Sequence, residues 1–267
     1  TIKIALVGQP NVGKSMLINS ISNSRLKVGN FSGVTVEKKE VIFKYKDYNI
    51  KIIDLPGSYS LENYSLEEKV VKNFLNQNEY DIILNVIDST NLQRNLLLTS
   101  ELLALNKKMV IALNMSDEAK KENILINNEK LSSLLNTPCI KTSATKKDGI
   151  TELLEQIIKT FEEDKTTFKH SFTTHILNHD EILAKRFDFV KNIIQQCVKI
   201  EEIKEKTTTE KIDSILMNKF IGLPIFLFLM WGLFQLTFTL GEIPMGYIDT
   251  FFSSFIDLIK NIIGDNQ

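Results

Sequence analysis

The chain has 267 residues, 43% apolar and 24% charged, with 32 basic against 33 acidic side chains and a formal net charge of −1. This is the make-up of a folded globular protein, and it excludes a disordered, collagen-like or disulfide-stapled chain. The balanced charge gives no electrostatic reason to expect a nucleic-acid partner, and two cysteines, Cys139 and Cys197, form no framework and suit a reducing compartment. Ile2–Val7 is a short apolar run that reads as a strand, so no signal peptide is expected at the start. Further strand-like runs follow at Val36–Tyr45, Ile50–Ile53, Ile82–Ile87, Met109–Leu113 and Cys139–Lys141. Helical patterns lie between them at Lys14–Ile21, Leu66–Leu75, Leu92–Leu105, Glu129–Leu135 and Ile150–Phe161. Strands alternating with helices predict an α/β domain over 1–165 with a mainly parallel sheet flanked by helices. Such sheets bind ligands in the loops at the carboxyl ends of their strands.

The pattern changes after 165. Strand runs disappear, and Ile182, Phe189, Ile193 and Ile194 mark an amphipathic helix, so 166–213 reads as a small all-α domain. From Lys219 to Gln267 there are only six charged residues, and Phe220–Leu240 has none. Twenty-one helical residues span roughly 30 Å, the thickness of a bilayer's hydrocarbon core. A fully buried core helix is the alternative, and its length without charge argues against it. The reading is a membrane span at about 220–240 within 214–267. A break at Gly241–Gly246 with Pro244 and an amphipathic, interfacial segment over Tyr247–Ile263 follow it. Lys204, Lys206, Lys211 and Lys219 precede the span and place its amino side in the cytoplasm.

Four motifs and the dipeptide Ser143-Ala144 carry chemistry. Gly8-Gln-Pro-Asn-Val-Gly13-Lys14-Ser15 follows the first strand and opens a helix, matching the phosphate-binding GxxxxGK[ST] pattern in its required context. Backbone N–H groups from Gly8, Val12, Gly13 and Met16 and the helix amino end would face phosphate oxygens. Lys14 would reach the terminal phosphates, and the Ser15 hydroxyl would ligate Mg²⁺. Asp54-Leu-Pro-Gly57, 39 positions after Ser15, ends another strand. Its Asp54 suits Mg²⁺, and Gly57 lets a backbone N–H approach the γ-phosphate. Asn114-Met115-Ser116-Asp117 follows a later strand. A carboxylate there accepts two N–H bonds from guanine and rejects adenine. Ser143-Ala144 offers a further N–H to the base. Between the first helix and the next strand run, Gly33, Val34 and Thr35 form a loop in which Thr35 would complete the Mg²⁺ shell when GTP is bound.

In this order the motifs resemble those of a small P-loop G protein. In wording, GQPNVGKS, NFSGVTVE, DLPGSYSL and LNMSDEA resemble the cytosolic G domain of the ferrous iron transport protein B (FeoB) family, although Met115 stands where the usual NKxD motif has Lys. The resemblance continues through the helical stretch, a regulatory GDI-like domain in that family, and into IDSILMNKFIGLPIFLFLMWGLFQLTF, its first membrane helix. It implies a GTP/GDP-dependent GTPase acting as the cytosolic switch of a ferrous iron (Fe²⁺) transporter in the bacterial inner (cytoplasmic) membrane. It also implies a longer native chain, and admits small cytosolic Feo proteins or further copies of the chain as partners. No glutamine follows Asp54-Leu-Pro-Gly57 to orient water, and Arg25 and Arg94 lie in no motif. Related G proteins use an Asn at the place of Asn11 to hold K⁺, which predicts K⁺-activated hydrolysis with Lys14, Asn11, Thr35 and Gly57 as the catalytic set. A regulatory GTPase without transport activity, soluble or membrane-tethered, is the competing reading. His170, His175 and His179 read as a solvated helical face, and the two cysteines read as small core residues.

Overall fold

The computed structural model describes residues 1–22, 27–31, 36–62, 65–163, 179–200, 213, 216–218 and 221–263. Two compact units emerge, Thr1–Glu202 and Ile203–Gln267.

Among the described residues the first unit has nine strands, seven of them in one sheet, with their covering helices. In chain order these are β1 (Ile2–Gly8), α1 (Lys14–Ile21), β2 (Lys27–Asn30), β3 (Glu37–Tyr45), β4 (Tyr48–Asp54), α2 (Leu66–Gln77), β5 (Ile82–Asp88) and α3 (Leu92–Leu103). There follow β6 (Met109–Asn114), α4 (Ser116–Lys121), β7 (Ile124–Ile126), α5 (Asn128–Leu135), β8 (Cys139–Lys141), α6 (Ile150–Glu162), α7 (His179–Cys197) and β9 (Val198–Ile200). The main sheet has the order β2-β3-β4-β1-β5-β6-β8. β1 pairs in parallel with β4 and β5, as β5 does with β6 and β6 with β8; β3 is antiparallel to both β2 and β4. This is a P-loop small G-protein fold.

Local sequence explains the elements. β5 and β6 are near-continuous apolar runs because helices cover both faces of a parallel sheet. α2 starts at a capping box in which Ser65 Oγ accepts from Glu68 N at 3.1 Å and the Glu68 carboxylate accepts from Ser65 N at 3.4 Å. Two apolar layers result. One face of the sheet packs Leu17, Leu153, Leu154 and Ile157 of α1 and α6. The other packs Phe74, Leu96, Leu131 and, from α7, Val190, Ile193 and Cys197. The helix predicted from Ile182, Phe189, Ile193 and Ile194 therefore closes the same core as the G-protein helices.

Three strands escape the sequence pattern. β2 is four residues with a glycine, and β7 and β9 are three residues each, too short to show a period of two. β7 and β9 form a separate antiparallel pair, so a strand does occur after residue 165. With β2 added, Asn114 ends the sixth strand in chain order, although Met109–Leu113 is only the fifth strand-like run read from sequence.

The second unit contains α8 (Gly222–Ile263), a single helix of 42 residues and about 63 Å. The expected break at Gly241–Gly246 is absent, and Pro244 lies inside the helix. Its cost is limited to a lost N–H and a local clash, which a long helix tolerates. Gly222–Asp257 is long and apolar enough to cross a membrane, with mean hydropathy 1.8 and none of its most apolar window buried. Thr237, Thr250, Ser253 and Ser254 each return their hydroxyl to the carbonyl four residues back, at 2.7–2.8 Å. Their polar groups are thus satisfied within the helix, as an apolar solvent demands.

Candidate functional site

Parallel pairing brings the ends of β1, β4, β5, β6 and β8 to one edge of the sheet. Leu6 lies opposite Asp54, Gly8 opposite Val86, Asp88 opposite Asn114 and Leu113 opposite Lys141. The loop from Gly8 to Lys14 turns back over that edge through two left-handed residues, Asn11 (φ 66°) and Gly13 (φ 84°). Gly13 is the residue before α1, and a Cβ there would lie 2.5 Å from Asn114 Nδ2. Both the backbone angle and the space therefore require glycine. A Cβ on Gly57 would come within 2.9 Å of Pro10 Cα, so the DLPG turn and the phosphate loop touch backbone to backbone. Ser58 N donates to Gly8 O at 3.2 Å and seals that contact.

Between these two loops lies a cavity of about 400 Å³, lined by Asn11, Gly13, Lys14, Ser15, Met16, Asp54 and Gly57, together with Gln9, Val36, Glu37, Lys39, Leu55, Pro56 and Val12. Lys14 Nζ donates to Gly8 O at 3.3 Å. Burial lowers the Lys14 ammonium from its usual pKa; Asp54 opposes that shift and Lys39 adds to it. Burial raises the Asp54 carboxyl, against the pull of Lys14 and Lys39. Asp54 Oδ1 is buried without a hydrogen-bond partner. A carboxylate oxygen left without a donor, on a cavity that also holds the Ser15 hydroxyl, is a donor set suited to a hard oxygen-seeking cation such as Mg²⁺. Lys39 is a residue the motifs did not reveal. It enters because antiparallel pairing sets it opposite Asp54.

A second group assembles around Asn114, which is 2% exposed. Its Nδ2 donates to Val12 O at 2.9 Å, and its Oδ1 accepts from Ala144 N at 3.1 Å and Thr142 Oγ1 at 3.5 Å. One side chain thus ties the phosphate loop, the end of β6 and the Ser143-Ala144 loop together. Met115 is left-handed (φ 57°), and its Cε lies 3.6 Å from the Cβ position of Gly13. Its apolar chain therefore runs along the loop as the methylenes of the motif's usual lysine would. Asp117 stands at the start of α4. The Ser143 hydroxyl bonds its carboxylate and holds its pKa below the ordinary value, with help from Lys146, whose Nζ is 3.5 Å from Oδ2.

The loop after Gly57 is fixed from behind. The Arg94 guanidinium lies 4.7 Å from the centre of the Tyr59 ring, and Gln9 Nε2 donates to Arg94 O at 2.8 Å. Glu101 of α3 accepts from Leu61 N at 2.6 Å, and Arg186 of α7 reaches Glu101 at 3.2 Å and Glu62 at 3.5 Å. Sequence spacing gave no signal for Gln9, Glu101 or Arg186, because their partners lie far away in the chain. Gly33, Val34 and Thr35 lie outside the described residues, as do His170 and His175.

A family model described as ferrous iron transport protein B matches residues 2–157. The chain belongs to that family. It is 50% identical over 264 residues to the Fe(2+) transporter FeoB of Campylobacter jejuni, covering 99% of this chain and 43% of that protein. The chain therefore spans less than half the length of this FeoB relative. Among solved structures, the cytosolic domain of L. pneumophila FeoB superposes with a TM-score of 0.66 at 34% identity, covering 74% of this chain and 99% of that one. The cytosolic domain of the T. maritima FeoB iron transporter in GMPPNP form superposes with a TM-score of 0.68 at 29% identity, covering 74% of this chain and 100% of that one. Both likenesses are to the cytosolic part of FeoB proteins.

Proposed function

We propose that this chain binds and hydrolyses GTP as the cytosolic switch of an Fe²⁺ membrane transporter. The observation that carries the reading is the buried, unpartnered Asp54 oxygen on a cavity shared with Lys14 and Ser15. The GMPPNP-bound T. maritima relative supports a guanine nucleotide there. In this reading the division is a G domain over 1–165, a helical regulatory domain over 166–213 and the start of a membrane domain over 214–267.

Each side chain then has a task. Backbone N–H groups of Asn11 to Met16 and the α1 amino end bind the β-phosphate side, and Lys14 neutralises the β- and γ-phosphates. Ser15, Asp54 and Thr35 would hold Mg²⁺, which would supply positive charge against the phosphates. Gly57 N–H addresses the γ-phosphate, against which water attacks in line. Asp117 accepts from the guanine edge, Ala144 N–H donates to the base, and Met115 covers its face. No glutamine directly follows Gly57 in the chain, Gln9 in the cavity wall is turned to Arg94 O, and no arginine is among the described lining residues. Asn11 would fill that gap by holding K⁺, which would supply a positive charge beside the nucleotide. Arg186 and Glu101 connect the loop after Gly57 to α7, giving the helical domain a physical hold on the nucleotide-sensing segment. α8 anchors the switch in the inner membrane, with the G domain in the cytoplasm, and Fe²⁺ passes through the rest of the transporter.

Steady-state GTPase assays of the full chain in K⁺ and in Na⁺ test the reading. Turnover is expected to be about tenfold or more faster in K⁺, and Asn11→Ala is expected to remove that advantage while leaving GDP affinity nearly intact. Equal rates in both cations, or an unaffected Asn11→Ala, would eliminate the K⁺ role.

A further inference from the structure

Asp117 sits on a very short helix whose far end leads straight into a strand outside the main sheet. α4 has six residues, well below the length at which a helix sustains itself. No side chain caps its amino end, and Ala119 is its one buried residue. Its start is tied to the loop after β8, where Ser116 N donates to Thr142 O at 3.1 Å and Lys146 Nζ lies 3.5 Å from Asp117 Oδ2. After α4 the chain turns at Asn123, in the left-handed region (φ 56°), directly into β7.

β7 joins no strand of the main sheet; its partner is β9. Ile124 pairs with Ile200, Leu125 with Lys199 and Ile126 with Val198, and Asn127 N extends the ladder to Cys197 O at 2.9 Å. An open cavity of about 880 Å³ beside α4 is lined by Asp117 and Lys120, by Ile124 and Asn127, and by Gln196 and Lys199. Of the helix only Ala119 is buried, so its own side chains give it a small packed area. The chain leaving its carboxyl end enters the backbone ladder between β7 and β9 within three residues.

We propose that β9, through Lys199 opposite Leu125, positions Asp117 for guanine recognition. The inference rests on the guanine reading of Asp117 given above. β9 follows α7 without a loop and is the last described element of the first unit. Base discrimination therefore depends on a strand more than 70 residues beyond the recognition loop, and by linkage the bound base alters the stability of the β7–β9 pair. The contact is made by backbone, so side-chain identity at 199 matters little and its N–H matters greatly.

The test compares GDP with IDP on the full chain in detergent. The two nucleotides share ribose and phosphates, and hypoxanthine lacks only the 2-amino group that Asp117 accepts from. Wild type is expected to favour GDP by tenfold or more. Lys199→Pro removes the ladder N–H and is expected to lower the GDP/IDP affinity ratio at least threefold, whereas Lys199→Thr keeps the N–H and the ratio. An unchanged ratio, or equal loss of both nucleotides, overturns the proposal, since a purely structural role weakens both alike. Amide exchange on the unaltered chain gives a reading independent of whether Lys199→Pro folds. With both nucleotides saturating, amides of 124–126 and 198–200 are expected to exchange more slowly with GDP than with IDP, and identical exchange overturns the proposal. A wild type that does not prefer GDP overturns the guanine reading itself. A wild-type preference with no effect of Lys199→Pro overturns only the role of β9.

Discussion

Asp117 shows how much of the site's chemistry rests on single side chains with arranged neighbours. Its carboxylate is already committed to the Ser143 hydroxyl and to Lys146, both of which stabilise the charged form. A base that donates two N–H groups meets an acceptor that is ionised and oriented in advance, and little free energy is lost in arranging it. Asp117→Asn keeps size and polarity but presents an N–H where guanine also presents one. The variant is expected to lose roughly 10²-fold or more in GDP affinity and to gain xanthosine diphosphate, whose C2 carbonyl accepts from the amide. Competition against a fluorescent GDP analogue measures both changes; an unaltered guanine preference would mean that another group reads the base. Asn114, by contrast, makes its three contacts within the protein, to Val12, Ala144 and Thr142. Of the motif's Asn and Asp, Asn114 holds the loops together and Asp117 is the residue proposed to meet the base.

At the scale of elements, legibility in the sequence followed length and periodicity. β1, β5 and β6 were readable because a strand buried on both faces is a nearly unbroken apolar run, and α2 and α6 because an apolar stripe repeats over three turns. The phosphate loop, Asp54 and Asn114 were readable because a motif fixes their spacing. β7 and β9 were not, since three residues carry no pattern and their pairing joins positions more than 70 apart. Lys39, Glu101 and Arg186 were hidden for the same reason: pairing register and helix packing bring them in, not spacing. α8 was half legible. Its apolar run was plain, but Gly241, Pro244 and Gly246 suggested a break, and the helical bonds on either side outweigh those three residues. The membrane reading of α8 makes a direct prediction. Leu229 and Leu233 lie one turn apart, both largely exposed. Arginine at each costs about 3 kcal/mol at a bilayer centre, so the double variant Leu229→Arg with Leu233→Arg is expected to leave the membrane fraction after carbonate extraction. The matching double alanine variant is expected to stay. Retention of the arginine variant would argue that α8 does not span.

For the molecule as a whole, α7 raises the question of how many parts fold together. By sequence it begins a separate helical domain, yet Val190, Ile193 and Cys197 share one apolar layer with Leu131 of α5, Leu96 of α3 and Cys139 of β8. The two cysteines report on the two sides of that contact. Burial pushes the Cys139 thiol up to about 12 and also raises Cys197. At pH 8 roughly one Cys139 in 10⁴ is then a thiolate, so the native protein is expected to be inert to thiol reagents. The shift also sets a sign. An unfolded Cys139 loses its proton near 9 while the folded one keeps it, so this group's contribution to stability falls as pH rises from about 9 towards about 12. If α7 is part of the G-protein core, openings that expose one thiol expose the other. Labelling at pH 8 in rising urea, followed by mass spectrometry of the two peptides, is expected to modify Cys139 and Cys197 at one common rate with one midpoint. Earlier labelling of Cys197 would show that α7 opens by itself, and would make the helical region an autonomous part that docks on the G domain.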